Sequence, residues 1–171
     1  SSGLVNLSDY KAVIWMAGEQ ATSRFTTFDA ATQALVSSYL SGGGKMFVSG
    51  SNVAFNLASG GDNKGPTFLS STLHTAYVRD DTTTYSFGAG ISGSAFASVP
   101  AGSFDNGTHG TYDVDAPDGI SPVSGGLAAL VYSGGTGGAA AIQYSSGDTR
   151  LIMLAFPLES VYTTATRDAL V

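Results

Sequence analysis

The sequence contains no cysteine. That absence removes disulfides, thiolate nucleophiles and cysteine-ligated metals together. Charge is also scarce. Asp, Glu, Lys and Arg make up 12% of the 171 residues, with 7 basic against 13 acidic and a formal net charge of −6 at pH 7. Phosphate recognition needs a basic surface, so nucleic acid is not expected as a partner, and an anionic membrane surface is disfavoured on the same ground. No apolar run approaches the roughly 20 residues that cross a bilayer, so no membrane span is expected. Histidine occurs twice, at His74 and His109, far apart and in no zinc-ligand spacing.

What the chain has is apolar residues and glycine. Hydrophobic residues make up 43%, and there are 23 glycines. This composition suits one domain with a sizeable core, many turns, and a surface made polar by Ser, Thr and Asn. The same Gly/Ser/Thr/Asn-rich, Lys-poor balance leans towards an extracellular or periplasmic location. The chain opens on Ser1-Ser2-Gly3 and stops at Val171 inside a stretch from Thr163 to Leu170 that reads as helical. Both ends therefore look like cuts in a longer multidomain chain.

Hydrophobic periodicity orders the elements. Ala12-Val13-Ile14-Trp15-Met16 is a continuous apolar run, the pattern of a strand buried on both faces. It ends in a loop carrying Glu19, and a polar, β-branched stretch to Thr27 reads as loop. A helix follows, capped by Thr26 or Thr27 with Asp29 in its first turn, and with Phe28, Ala31, Leu35 and Tyr39 at helical spacing, joined by Val36 and Leu40. Gly42-Gly43-Gly44 stops it, one glycine taking the left-handed conformation. Lys45-Met46-Phe47-Val48 is the next strand. It breaks on Ser49-Gly50-Ser51-Asn52 and resumes as a short helix from Val53. That is a strand-to-helix elbow, the place where nucleophiles and ligands sit in open α/β sheets.

Further on, Gly60 to Gly65 is a loop, and Pro66 suits the first turn of a helix reaching Leu73. Residues 88–126 read as an irregular insertion with short strands. Ala128 to Tyr132 and Ala139 to Tyr144 are strands, and Arg150 to Phe156 is the longest apolar run and hence a central strand.

Four sets of residues carry candidate chemistry. Gly88-Ala89-Gly90-Ile91-Ser92-Gly93 matches a dinucleotide fingerprint in letters only, because Pro100 limits any helix after it. A turn-rich loop is the better reading, and no organic cofactor is expected. Asp113, Asp115 and Asp118 form the one carboxylate cluster that calcium would choose, but the run lacks the Gly and Glu of an EF-hand loop. A solvated acidic loop is preferred and no metal is expected. Ser51, Glu19 and Glu159 each follow a strand and converge on one sheet edge, with His74 the remaining partner that could serve as base. The elbow lacks the second glycine of the usual nucleophile motif, so a polar turn outweighs a serine hydrolase. Finally, Trp15, Tyr77, Tyr85 and Tyr112 could stack on sugars, although tyrosines in strands more often pack in the core.

The run Asp9 to Trp15, the helix ending Tyr39-Leu40-Ser41-Gly42-Gly43-Gly44-Lys45, and Met46-Phe47-Val48-Ser49-Gly50-Ser51 together resemble the class I glutamine amidotransferase-like superfamily. The nearest flavour is the catalytically incomplete version found in bacterial extracellular multidomain proteins, among them xanthan lyase-like and secreted peptidase-associated chains. The resemblance implies a Cys at the elbow and a His-Pro-Glu-like segment after a late strand. Here the elbow has no Cys, and Phe156-Pro157-Leu158-Glu159 puts Phe where the His would be and the Glu one residue late. Glutaminase chemistry is thereby excluded. The superfamily also begins with a strand, helix and strand for which only a short segment is present before Ala12. A sheet without those units exposes an edge and an apolar face, which another chain or segment is expected to cover.

The expected fold is α/β: a three-layer, mostly parallel sheet with helices on both faces, flavodoxin-like or amidotransferase-like, with one antiparallel pair near the C-terminal end. The expected role is a catalytically inert accessory domain of a secreted bacterial enzyme, partnered by other domains of the parent chain and by carbohydrate as a further ligand class. The alternative is a serine-dependent hydrolase using Ser51.

Overall fold

The computed structural model describes residues 5–19, 27–59 and 65–171. The Ser1-Ser2-Gly3 start, most of the polar stretch expected as loop before Thr27, and residues 60–64, also expected as loop, lie outside them. Among the described residues there are nine strands: β1 Val13–Gly18, β2 Lys45–Gly50, β3 Thr75–Arg79, β4 Ser86–Phe87, β5 Gly102–Ser103, β6 Gly119–Pro122, β7 Leu127–Val131, β8 Ala139–Ser146 and β9 Thr149–Leu154. The helices are α1 Ala30–Ser41, α2 Val53–Ala58, α3 Pro66–Ser71 and α4 Thr164–Ala169.

Seven strands form one sheet in the order β1-β2-β9-β8-β6-β3, with β7 also pairing β8. Only β1/β2 and β2/β9 are parallel. β9/β8, β8/β7, β8/β6 and β6/β3 are all antiparallel. The expected flavodoxin-like, mostly parallel and helix-flanked architecture is therefore wrong. The sheet is mixed and the four helices are short. The physical reason lies in the connections. A parallel crossover takes a dozen or more residues, whereas Ser146 to Thr149 closes in a tight turn that only an antiparallel pair can use. Antiparallel pairing thus extends well beyond the one pair expected.

Alternation along the parallel strands assigns the two faces. Val13 and Trp15 stand in register with Met46 and Val48. Trp15 stacks on Phe28 at 4.9 Å, and Phe28 meets Phe68 of α3 at 5.3 Å, so this face carries the helices. Within α1 the side chains turned to the sheet are Val36, Tyr39 and Leu40, while Leu35 is exposed. Asp29 is the N-cap, not a first-turn residue, its carboxylate accepting from the Thr32 N–H at 2.7 Å. The glycine stop works as expected through Gly43, whose φ is +90°.

The opposite face is covered mainly by irregular chain. Phe96 packs on Phe47 at 6.5 Å, and Phe156 stacks on Phe87 at 5.0 Å and on Phe104 at 4.9 Å. Residues 88–126 thus bring their own core, including Val99, Val114 and Ile120, all buried. After Gly88–Gly93 the chain makes turns instead of a helix, so the glycine-rich match is a loop. Uncovered by this layer are Ile14 and Met16 on the edge strand β1, 52% and 53% exposed.

Phe156 sits between Phe87 and Phe104 and is fully buried. Replacing it by Ala is expected to cost about 3–5 kcal/mol in denaturant unfolding. A loss below about 1 kcal/mol would show that this stack does not hold the irregular layer to the sheet.

Candidate functional site

The elbow after β2 is built by close backbone approach. A Cβ on Gly50 would lie 2.9 Å from the Ala17 Cβ and 3.0 Å from the Gly18 carbonyl oxygen, so only glycine fits. Ser49 locks this end of the sheet to the segment after β9. Its Oγ accepts from the Leu158 N–H at 2.7 Å and donates to the Phe156 carbonyl at 3.3 Å. Ser51 is only 1% exposed. Its N–H donates to the Gly18 carbonyl at 3.0 Å and its own carbonyl accepts from the Asp118 N–H at 2.9 Å. Its Oγ accepts from the Asn52 side-chain amide at 3.0 Å.

The N-terminus of α2 is occupied from within the chain. Asp118 Oδ2 accepts from the Ala54 N–H at 2.8 Å and the Phe55 N–H at 3.1 Å. Asp118 is completely buried, and its Oδ1 has no partner among the described residues. The Tyr132 hydroxyl reaches the Asp118 carbonyl at 3.0 Å and the Ala155 carbonyl at 3.1 Å, tying β7 to the end of β9 at the same point. Burial pushes the Asp118 carboxyl well above its usual range, and the two backbone donations only partly offset this.

His74 does not join Ser51. It sits just before β3 with φ +52°, its Nδ1 within 2.8 Å of the Ser124 carbonyl and its ring stacked on Tyr144 at 3.4 Å. Tyr144 pairs with Leu151, which is in register with Met46. Ser51 lies five residues further along that strand direction, roughly 16 Å away at the usual strand rise. His74 and Ser51 therefore do not form a nucleophile–base pair.

Glu19 and Glu159 do come within electrostatic reach of each other and of Asp113 and Asp115. Burial raises the Glu19 carboxyl, and the charges of Asp115, Asp113 and Glu159 raise it further. Tyr112 donates to Glu159 Oε1 at 2.6 Å, and burial followed by this bond raises its phenol. Tyr85 donates to Asp113 Oδ1 at 2.8 Å, and that bond, then burial, pushes its phenol up to about 12. The candidate calcium trio, for which a solvated loop was preferred, is divided: Asp118 turns inward to α2 while Asp113 faces Tyr85 at the surface. Among the described residues, no three His, Cys, Asp or Glu side chains are grouped to hold a metal.

The aromatics proposed for stacking are engaged internally. Trp15 covers Phe28, Tyr77 meets Phe55 at 5.9 Å, and Tyr85 and Tyr112 serve the carboxylates. Sequence reading missed Asp105. Its fully buried carboxylate takes the N–H groups of Thr108, His109 and Thr111 and the Thr111 hydroxyl, at 2.8–2.9 Å. Burial opposes its charge, but these donations win and hold the group well below the usual range. The Asp105-Asn106-Gly107-Thr108 turn pattern was the available signal.

No protein-family model and no curated protein matches the chain. Solved structures do. A β-galactosidase from Rahnella sp. R3 superposes with a TM-score of 0.56 at 15% identity, covering 97% of this chain and 23% of that one. The N-terminal domain of mmIFT52 gives 0.58 at 15% identity, covering 96% and 76%. At this identity the likeness is one of fold. The chain spans less than a quarter of the β-galactosidase chain.

Two outcomes follow. The native state holds a proton on Asp118 to higher pH than the unfolded chain does, so stability falls as pH rises from about 4 upwards. Asp118→Asn keeps the acceptor oxygen and removes the charge, and denaturant unfolding across pH is expected to show a flatter slope in the variant; an unchanged slope would contradict the assignment. Glu159→Gln keeps an acceptor for Tyr112 and removes one like charge from Glu19. NMR titration is expected to show the Glu19 carboxyl moving down towards its ordinary value, and no movement would place the two groups out of electrostatic reach.

Proposed function

We propose that this chain is a catalytically inert accessory domain, structural or interacting in role, of a secreted bacterial multidomain protein. The observation that carries this is the occupied elbow. An acyl-transfer site needs free N–H donors at the helix start to receive an oxyanion, and a nucleophile beside a base. Here the donors of Ala54 and Phe55 are taken by Asp118, and the Ser51 Oγ is held by an amide.

The resemblance to the catalytically incomplete amidotransferase-like proteins fits the same reading. The position expected to hold a base is Phe156, locked between two other phenylalanines. The coverage of less than a quarter of an enzyme chain supports a module within a larger protein. The Gly/Ser/Thr/Asn-rich, Lys-poor composition supports export.

The test is hydrolysis of p-nitrophenyl esters and γ-glutamyl anilides by the purified chain and by Ser51→Ala. Both are expected to match the buffer rate. Turnover that disappears in Ser51→Ala would overturn the proposal.

A further inference from the structure

The face of the sheet left open beside β1 has an ordered chemistry. Ile14, Phe47 and Ile152 stand in register across β1, β2 and β9, with Gln143 of β8 next in the same row. They floor a groove of about 500 Å³. Ala95 closes its β8 side, its N–H donating to Gln143 Oε1 at 2.6 Å. Two residues back along the strands, on the same face, the row is Lys45 and Arg150, again in register. An apolar row is thus flanked by a cationic one about 7 Å away.

Those two cations are unexpected. The chain has only 7 basic residues and a net charge of −6. Like charges on neighbouring strands repel, and their backbones stand only about 5 Å apart. Among the described residues no carboxylate pairs with either: Arg150 spends its Nη1 on the carbonyls of Gly147 and Thr149, which fixes the guanidinium without neutralising it, and the one ion pair involves His109. Width is the second constraint. From β1 to β9 is two strand spacings, about 10 Å, the diameter of an α-helix with its side chains. Ile14 and Met16 continue the apolar strip to the edge of the sheet.

We infer that this groove seats an amphipathic helix from another polypeptide segment, its apolar stripe on Ile14, Phe47 and Ile152 and acidic side chains on its flank between Lys45 and Arg150. The helix supplies the sheet layer that this face lacks, and its carboxylates relieve the cation pair. The inference extends the reading of the chain as an interacting module. It is independent of the elbow, since Lys45 and Ser51 lie at opposite ends of β2.

The probe is a stapled helix of about four turns, with leucines along one face and glutamates along one flank, beside a control with those glutamates changed to lysines. Binding is read by fluorescence anisotropy against the wild-type chain and the Lys45→Glu/Arg150→Glu variant, with circular dichroism confirming that the variant is folded. The acidic helix is expected to bind the wild type at least about tenfold more tightly than the control, and the preference is expected to reverse in the variant. No binding, equal binding of the two helices, or binding untouched by the charge reversal would overturn the inference. So would displacement of the bound helix by decanoate at its own saturating concentration, which would make the groove a site for small amphiphiles. A dimer in sedimentation that dissociates on charge reversal would assign the face to a second copy and overturn it equally.

Discussion

The Asp118 carboxylate on the first turn of α2 is the contact around which this domain closes. It joins three parts of the chain distant in sequence. α2 gains acceptors for two orphan N–H groups, the elbow is fixed through the Asp118 N–H bond to Ser51, and the Tyr132 hydroxyl binds the same point to the end of β9. A six-residue helix is marginal alone, so this long-range cap and the burial of Val53, Ala54 and Leu57 hold it. The cost is a buried carboxylate with one oxygen unpartnered. That cost explains the upward shift of the group.

The same contact decides the chemistry. A strand-to-helix elbow is useful to an enzyme because its helix start offers unsatisfied donors and its turn exposes a side chain. Both properties have been consumed here. Asp118 takes the donors, packing takes the exposure of Ser51, and the late-strand position holds Phe156 inside an aromatic stack. The carboxylates of Glu19, Glu159, Asp113 and Asp115 gather at the same sheet edge, yet two of them are engaged by Tyr112 and Tyr85. The polar groups at this sheet edge thus act as internal struts.

Local patterns in the sequence carried part of this account. The apolar runs at Val13, Met46 and Leu151 marked the three strands that pair in parallel, and Gly42-Gly43-Gly44 marked the end of α1. The convergence of Glu19 and Glu159 followed from their positions after two of those strands. The mixed topology was not legible. Apolar runs do not state direction, and outside the antiparallel pair expected near the C-terminal end a family resemblance to parallel sheets set the expected direction, whereas β6 and β3 pair antiparallel as well. Asp118 was misread because its partners lie 63 and 64 residues away, and no local pattern marks a remote cap. The stripe on α1 was rotated by the weight given to Leu35, whereas Val36, Tyr39 and Leu40 face the sheet. The exposure of Ile14 and Met16 on β1 is not marked in their apolar run, and the pairing of Lys45 with Arg150 required the strand register.

The central claim is that the elbow is closed, with Ser51 buried, the helix start filled by Asp118 and His74 held on Ser124 and Tyr144 away from it. Incubation of the purified chain with a fluorophosphonate probe, followed by intact mass and peptide mapping, tests this most directly. The account predicts no adduct on Ser51 under conditions that label a serine hydrolase control completely. A stoichiometric adduct on Ser51 would contradict it.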